Sequence, residues 1–387
     1  MRSWLAVAVT VALGACESPA SAPGDAGGAG PLDAGDAGDS GPFDAGAADA
    51  HLLCGWEAVD AGVPDPADLD APGRYAAGVR TLELTDASRA RTLPVEVWYP
   101  VDRTGTGGVA NVYNLDTSLG RLASACTPAR RDAPAAVGDW PVVIFSHGFG
   151  GIRFQSYFLT EHLASHGFVV VAPDHPGNTL ANFATLGDAA AAAQSAIDRP
   201  LDVLYVLARL EEGWLTPIVG VDPSRIAVSG HSFGGWTAVE SARRDARLRV
   251  VVALAPGFRA PSSPAIAGEL ARPLMLMGGT ADRTTPFDTD QQAAFDVATP
   301  PKALVRIDGA GHMDFTDVCG LPTIRGLFDD GCDPASVDPV LVQSRVRVLA
   351  LAFLRRWLTG DVTADAELAP ARVSSLSGIT YWYEPGP

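Results

Sequence analysis

The chain has 387 residues, 47% of them hydrophobic and 19% charged, which is enough apolar material for one large buried core. A formal net charge of −17 leaves no basic footprint for a phosphate backbone, so nucleic acid is excluded as a partner. Acidity of this size bears on solubility rather than on fold.

The first residues read as an export signal. Arg2 supplies a positive end, and Trp4 to Leu13 is an apolar run too short to span a bilayer. The run closes on Leu13-Gly14-Ala15-Cys16, which resembles the lipobox of bacterial lipoproteins and implies acylation at Cys16. The alternative is an ordinary secretory signal with an incidental cysteine. Either places the protein outside the cytoplasm. The lipobox adds a membrane partner through a lipid anchor, and Glu17 after the cysteine points to the outer membrane. Residues 17–50 repeat Asp, Ala, Gly, Pro and Ser, with seven acids (Glu17, Asp25, Asp33, Asp36, Asp39, Asp44, Asp49) and no Lys or Arg. Such a segment buries too little apolar surface to offset its ordering entropy and is expected to be a disordered spacer. The catalytic domain is expected over 51–360, followed by a C-terminal extension, 361–387.

Four further cysteines, Cys54, Cys126, Cys319 and Cys332, form an even set in an exported chain and suggest two disulfides. Of the possible pairings, Cys54–Cys126 and Cys319–Cys332 each staple a local region and are the expected ones. A short loop like the second is worth about 3 kcal/mol by chain entropy. No C-x-x-C spacing supports zinc.

From about residue 80, strand-like and helix-like runs alternate. Thr81–Leu84 and Leu93–Tyr99 read as an antiparallel start. Pro141–Phe145 and Phe168–Ala172 are continuous apolar runs of strand length, with a helical period over Phe154–Ser165 between them. Residues 178–200 read as an insertion, either a cap over a site or a surface loop. An amphipathic helix follows over Leu201–Leu210. Further strands are expected at Arg225–Val228, Val250–Leu254, Pro273–Met277 and Ala303–Ile307, and a last helix at about Val340–Leu358. This alternation predicts an α/β fold, a mostly parallel central sheet with helices on both faces and ligands at the carboxyl ends of its strands.

The densest signal is Gly230-His231-Ser232-Phe233-Gly234-Gly235, a G-x-S-x-G turn with a strand before it and a helix-compatible stretch after it. A serine hydroxyl is a poor nucleophile until it is lifted clear of the backbone, aimed at a base and placed beside oxyanion donors, and a strand-to-helix turn does all three. Ser232 is the candidate nucleophile. The base must follow the last strand, and Asp308-Gly309-Ala310-Gly311-His312 supplies His312 there. Asp282, after the strand 273–277, is the candidate acid that holds His312 in the right tautomer, with Asp288 and Asp308 as rivals. The oxyanion donors are expected to be the N–H of Phe233 and that of Phe149, in Ser146-His147-Gly148-Phe149-Gly150-Gly151. His162 and His166 lie one helical turn apart but lack H-E-x-x-H context and a third ligand, so no metal is expected.

Five blocks in order, Phe145–Gly151, Glu161–Phe168, Ala172–Asn178, Arg199–Val203 and Gly230–Gly235, together resemble the platelet-activating factor acetylhydrolase family, an α/β-hydrolase family near dienelactone hydrolases and cutinase-like polyester hydrolases. The likeness spans roughly 75–355. It implies a metal-independent serine esterase without cofactor, acting on acyl esters, with Ser232 as nucleophile, His312 as base and Phe149 and Phe233 as oxyanion donors. One departure stands out. The animal acetylhydrolases take their acid after the strand that follows the elbow, where this chain has Ala255-Pro256-Gly257-Phe258. Asp282, one strand later, resembles the cutinase-like arrangement.

Overall fold

The computed structural model describes residues 67–386 except 106, 118–119, 186–187, 259–262, 322–328 and 334–335. Cys16, the 17–50 spacer and Cys54 lie outside the described residues.

The apolar runs become the strands of one large sheet. In chain order they are β1 (Ala76–Asp86), β2 (Arg91–Val101), β3 (Val109–Thr117), β4 (Gly120–Arg131), β5 (Trp140–Ser146), β6 (Val169–Pro173), β7 (Val221–His231), β8 (Leu248–Leu254), β9 (Leu274–Gly279), β10 (Lys302–Ile307) and β11 (Ile379–Glu384). Their spatial order is β11-β10-β9-β8-β7-β5-β6-β2-β1-β4-β3. From β6 through β10 every neighbouring pair is parallel, and antiparallel strands close both ends.

Alternation along the central strands divides the core into two layers. Val143 and Phe145 of β5 enter one, with Leu159 and Leu163 of α1 (Tyr157–Ser165) and the apolar face of α5 (Pro339–Leu358). Val142 and Ile144 enter the other, with α2 (Ala189–Glu211), α3 (Phe233–Arg244) and α4 (Ala293–Val297). Both faces of the sheet are covered, which is why these strands read as unbroken apolar runs. The expected α/β layout is present, and the 225–228 strand feeds α3 through Ser232.

Three differences from the sequence reading have physical causes. The helix expected from Leu201 begins at Ala189, where the Asp188 carboxylate caps it by accepting from Ala190 N at 2.8 Å. Pro200 lies inside this helix rather than ahead of it, so the second half of the 178–200 insertion is helix with Arg199 and Pro200 buried. Residues 361–387, set apart as an extension, supply β11, which pairs antiparallel with β10 from Ile307↔Ile379 to Lys302↔Glu384. Leu368 and Val373 on the way to it are fully buried, so the packed core and its sheet run past 360. The β3–β4 hairpin is the third difference; it adds the opposite sheet edge.

Candidate active site

Ser232 sits between β7 and α3 at φ +58° and ψ −122°, a strained conformation for a residue with a Cβ. Its N–H is anchored on Leu254 O at 2.8 Å. The turn closes only because its flanks are glycine: a Cβ on Gly234 would lie 1.9 Å from Ser146 O, and one on Gly230 would lie 2.4 Å from Gly234 O. Ser232 is 9% exposed.

The structure brings Ser232, His312 and Asp282 into one hydrogen-bonded line. His312 Nδ1 lies 2.8 Å from Asp282 Oδ2, and its Nε2 lies 2.8 Å from Ser232 Oγ. An ionised carboxylate only accepts, so Nδ1 carries the ring proton and Nε2 is left to accept the serine hydroxyl. Asp282 Oδ1 takes the N–H groups of Thr284 (2.9 Å) and Thr285 (2.7 Å), and Oδ2 lies 2.8 Å from Thr285 Oγ1. Four donors around one buried carboxylate fix its orientation before any substrate arrives. Of the rival acids, Asp308 faces Arg306 at 3.6 Å on the exposed edge, and Asp288 opens the turn before α4.

The β5–α1 loop lies against the elbow. Neither the Phe149 nor the Phe233 N–H is used in the backbone bonds of the described residues. Their rings stand 6.0 Å apart, with Phe149 40% exposed at the mouth and Phe233 stacked on Trp236 at 5.2 Å. Gly148 N donates to Gln155 Oε1 at 2.9 Å, and Gln155 Nε2 donates to His231 Nδ1 at 3.0 Å. His231 Nε2 then donates to His312 O at 2.9 Å, so His231 faces away from the hydroxyl of Ser232 and ties the loop to the backbone of His312. Burial, together with the nearby His312, holds the His231 pKa well below the usual imidazole range, which keeps this relay neutral.

A second polar group lies beneath the same loop. Ser146 Oγ is 2.9 Å from His175 Nε2, and His175 Nδ1 is 3.0 Å from Asp202 Oδ2; all three residues are fully buried. Burial, with the Arg199 charge nearby, pulls His175 down to about 4, against the opposing effect of Asp202. Asp202 is in turn paired with Arg89 and Arg91, both at 2.8 Å.

Several contributors were not anticipated as site residues. Gln155, Arg199 and Asn178 hold the β5–α1 loop, and Asp330 holds the loops of Asp282 and His312. Arg199 and Asn178 stood inside quoted sequence blocks, whereas nothing local marks Gln155 or Asp330. Leu180 N donates to Gly151 O at 2.9 Å, so the start of the 178–200 segment braces this loop from the side. Cys319 and Cys332 are bridged, with Cα atoms 4.9 Å apart. Cys126 is also disulfide-bonded, and Cys54, the partner expected for it, lies outside the described residues.

His162 and His166 do face each other, with rings 4.5 Å apart, but His166 Nε2 goes to Ala71 O at 3.0 Å. Among the described residues no group of three His, Cys, Asp or Glu side chains is placed to hold a metal, and no helix is long and apolar enough to cross a membrane.

The chain is similar to several known esterases and acetylhydrolases. A family model described as chlorophyllase matches residues 108–255, and one described as platelet-activating factor acetylhydrolase, isoform II, matches 218–367. Both cover the elbow. The platelet-activating factor acetylhydrolase of Cavia porcellus is 25% identical over 331 residues, 73% of this chain and 74% of the relative. Cutinase est2 of Thermobifida alba is 28% identical over 249 residues, 64% of this chain and 69% of the relative. Among solved structures, the ferulic acid esterase of Streptomyces cinnamoneus superposes with a TM-score of 0.61 at 27% identity, covering 82% of this chain and 98% of that one.

Proposed function

Because the chain belongs to the α/β-hydrolase esterases, a group of carboxylic-ester hydrolases, we propose that it cleaves acyl esters through a Ser232–His312–Asp282 triad and an acyl-enzyme. The observation that carries the reading is the pair of 2.8 Å contacts that run from Asp282 through His312 to Ser232 Oγ. Ser232 Oγ attacks the ester carbonyl carbon while its proton moves to His312 Nε2. The carbonyl electron pair moves onto oxygen, where the Phe149 and Phe233 N–H groups receive it. His312 then protonates the departing alcohol, and the acyl group stays on Ser232. Water, deprotonated by the same Nε2, releases the acid. Asp282 holds the tautomer and stabilises the imidazolium without taking a proton.

The substrate class we propose is short-chain, phospholipid-type or polyester-type acyl esters. The acid after β9 rather than β8, and the exposed Phe149 ring at the mouth, favour the cutinase-like side of that range. In this reading the N-terminal segment tethers the enzyme to the cell envelope through Cys16.

The test is hydrolysis of p-nitrophenyl esters from acetyl to palmitoyl by the full chain, with Ser232→Ala as control. Serine-dependent turnover is expected, and its loss in the control should approach the roughly 10⁶-fold of triad knockouts. Undiminished turnover by Ser232→Ala would overturn the assignment. Absence of any serine-dependent activity, with no fluorophosphonate label on Ser232, would favour a non-catalytic surface lipoprotein, and cleavage of peptides in preference to esters would favour an amidase.

A further inference from the structure

Arg199 is fully buried on α2, and its guanidinium points at the β5–α1 loop. Nη2 donates to Ser146 Oγ at 3.1 Å and to His147 O, while Nη1 donates to Asn178 Oδ1 at 2.8 Å and to Gly148 O at 3.4 Å. Its carbon centre lies 4.6 Å from the centroid of the Phe233 ring. One cation therefore touches the segments that carry both proposed oxyanion donors.

The Gly148 carbonyl and the Phe149 N–H are the two ends of a single planar trans peptide, so they point in opposite directions. Three donors converge on Gly148 O: His147 Nδ1 at 2.7 Å, Gly151 N at 3.1 Å and Arg199 Nη1. Whatever fixes that oxygen fixes the direction of the Phe149 N–H. Donation to the carbonyl also polarises the peptide and strengthens its N–H as a donor.

The charge is as informative as the geometry. Burying a guanidinium is costly unless a carboxylate meets it. Arg199 meets neutral acceptors alone among the described residues: two carbonyls, a hydroxyl and an amide. Asp202, the carboxylate it feels, lies across Ser146 and His175 and is already paired with two other arginines. Burial pulls the Arg199 pKa down to about 9, which leaves it charged at neutral pH. An arginine that served packing alone could be replaced by an apolar chain at lower cost.

Resting on the reading of Ser232 as nucleophile and of Phe149 and Phe233 as oxyanion donors, we infer that Arg199 is a positioning residue for the oxyanion. It aims the Phe149 peptide, packs the Phe233 ring, and places behind both donors a buried positive charge that gains a counter-charge when the carbonyl oxygen becomes an oxyanion. It does not touch the substrate. Its effect belongs to the transition state and should appear in kcat rather than in KM.

The experiment compares wild type, Arg199→Lys and Arg199→Met on one p-nitrophenyl ester, with the affinity of an alkyl trifluoromethyl ketone, which forms a tetrahedral adduct on the serine, measured beside it. Arg199→Met is expected to lower kcat by about 10²-fold to 10³-fold, the cost of losing an oxyanion donor, with KM changed by less than about threefold. Arg199→Lys keeps the charge and loses the fork, and should fall between the two. Ketone affinity should fall in step with kcat/KM across the series, which loss of packing alone would not produce. A folded Arg199→Met enzyme with wild-type kcat would overturn the inference, as would a loss confined to KM or a ketone affinity that stays constant. If Arg199→Met does not fold, Arg199→Lys decides: wild-type kcat and ketone affinity in that variant overturn it. Failure of the underlying reading looks different, because Ser232→Ala would then stay active.

Discussion

Asp330 accepts the backbone N–H of His312 at 3.2 Å. The same carboxylate accepts from Arg283 N at 3.1 Å, Thr284 N at 2.8 Å and Thr284 Oγ1 at 2.6 Å, in the loop that carries Asp282. Met313 N donates to Asp330 O at 2.8 Å, and two residues further on Cys332 is bridged to Cys319. One side chain thus holds the loops of Asp282 and His312 in register, on a segment stapled beside His312. Displacing a catalytic group by about 1 Å costs on the order of 10²-fold in rate. Asp330→Ala is therefore expected to lower kcat by about 10-fold to 100-fold with KM little changed, and Cys332→Ser to lower it in the same direction. Steady-state kinetics on one ester, with circular dichroism to establish folding, checks this; wild-type kcat in folded Asp330→Ala would mean that the two loops align without the brace.

The acid can be assigned by a similar comparison. Asp282→Asn retains size but offers His312 an amide that can donate, and so permits the wrong tautomer. The corresponding substitution in a serine protease drops kcat about 10⁴-fold, and a loss of that order is expected here. Asp308→Ala should stay near wild type, since Asp308 is exposed and faces Arg306 at 3.6 Å. The reverse ranking of the two variants would move the acid to Asp308.

Gly234→Ala sets two magnitudes against each other. Gly234 lies in the first turn of α3, where alanine is favoured by about 1 kcal/mol on propensity alone. The added Cβ would meet Ser146 O at 1.9 Å and His147 O at 2.6 Å, both backbone atoms with no free rotation to escape. The clash should win. The variant is expected to melt earlier and to lose at least about 10²-fold in kcat, because the movement that relieves it separates the Phe233 N–H from the Phe149 loop. A melting curve and kcat on the same preparation suffice, and a Tm at or above wild type would contradict the packing.

Legibility in the sequence followed how local each cause was. β5 through β10 could be read because strands covered on both faces are continuous apolar runs. Ser232 and His312 could be read because a nucleophile elbow and a turn after the last parallel strand are short-range patterns. The β3–β4 hairpin escaped because an edge ribbon with Asn111, Asn114, Ser124 and Arg130 mixes polar side chains among its apolar ones. The first half of α2 escaped because Pro200 reads as a helix start, whereas packing carries the helix through it. The roles of Arg199 and Asp330 had no local signal. Their hydrogen bonds reach 52 residues to His147 and 18 residues to His312, and only the folded chain brings those partners together.

Asp314 should give the protein a pH-dependent stability. It is fully buried; Oδ2 accepts from Gly311 N at 2.8 Å and Oδ1 is among the buried polar atoms without a partner. Burial first, and then the charges of Asp330 and Asp282, push its pKa up to about 7, against the Gly311 N–H. In the unfolded chain it titrates near 4. Between about pH 4 and pH 7 the folded state therefore holds a proton that the unfolded state has lost, and stability falls as pH rises through that window and levels off above it. Asp314→Asn keeps an acceptor for Gly311 N and removes the titration. The difference in unfolding free energy between the variant and wild type should grow in the variant's favour from pH 4 to pH 7 and then stay constant. Denaturant titrations at four or five pH values measure it, and a difference independent of pH would contradict the assignment.

The C-terminal strand should govern the sheet edge rather than the chemistry. β11 covers β10, whose next turn leads to His312, and Asp308 N donates to Gly378 O at 2.9 Å. Trp382 lies 6.4 Å from the Phe287 ring and 6.0 Å from the Arg306 guanidinium carbon, so it packs on the strand it pairs with. Removing residues 374–387 would leave β10 with a row of unpaired backbone groups on an apolar strand, a template for pairing with other chains. That truncation is expected to aggregate and to lose cooperative melting. Trp382→Ala leaves the backbone pairing in place and removes only the packing, at roughly 1–3 kcal/mol. Its Tm should fall by several degrees while kcat at 25 °C stays within about twofold of wild type. Size-exclusion profiles and melting curves separate the two variants. A soluble, fully active truncation would mean that the edge is protected without β11, and a large loss of kcat in Trp382→Ala would mean that the packing of this edge reaches the base loop.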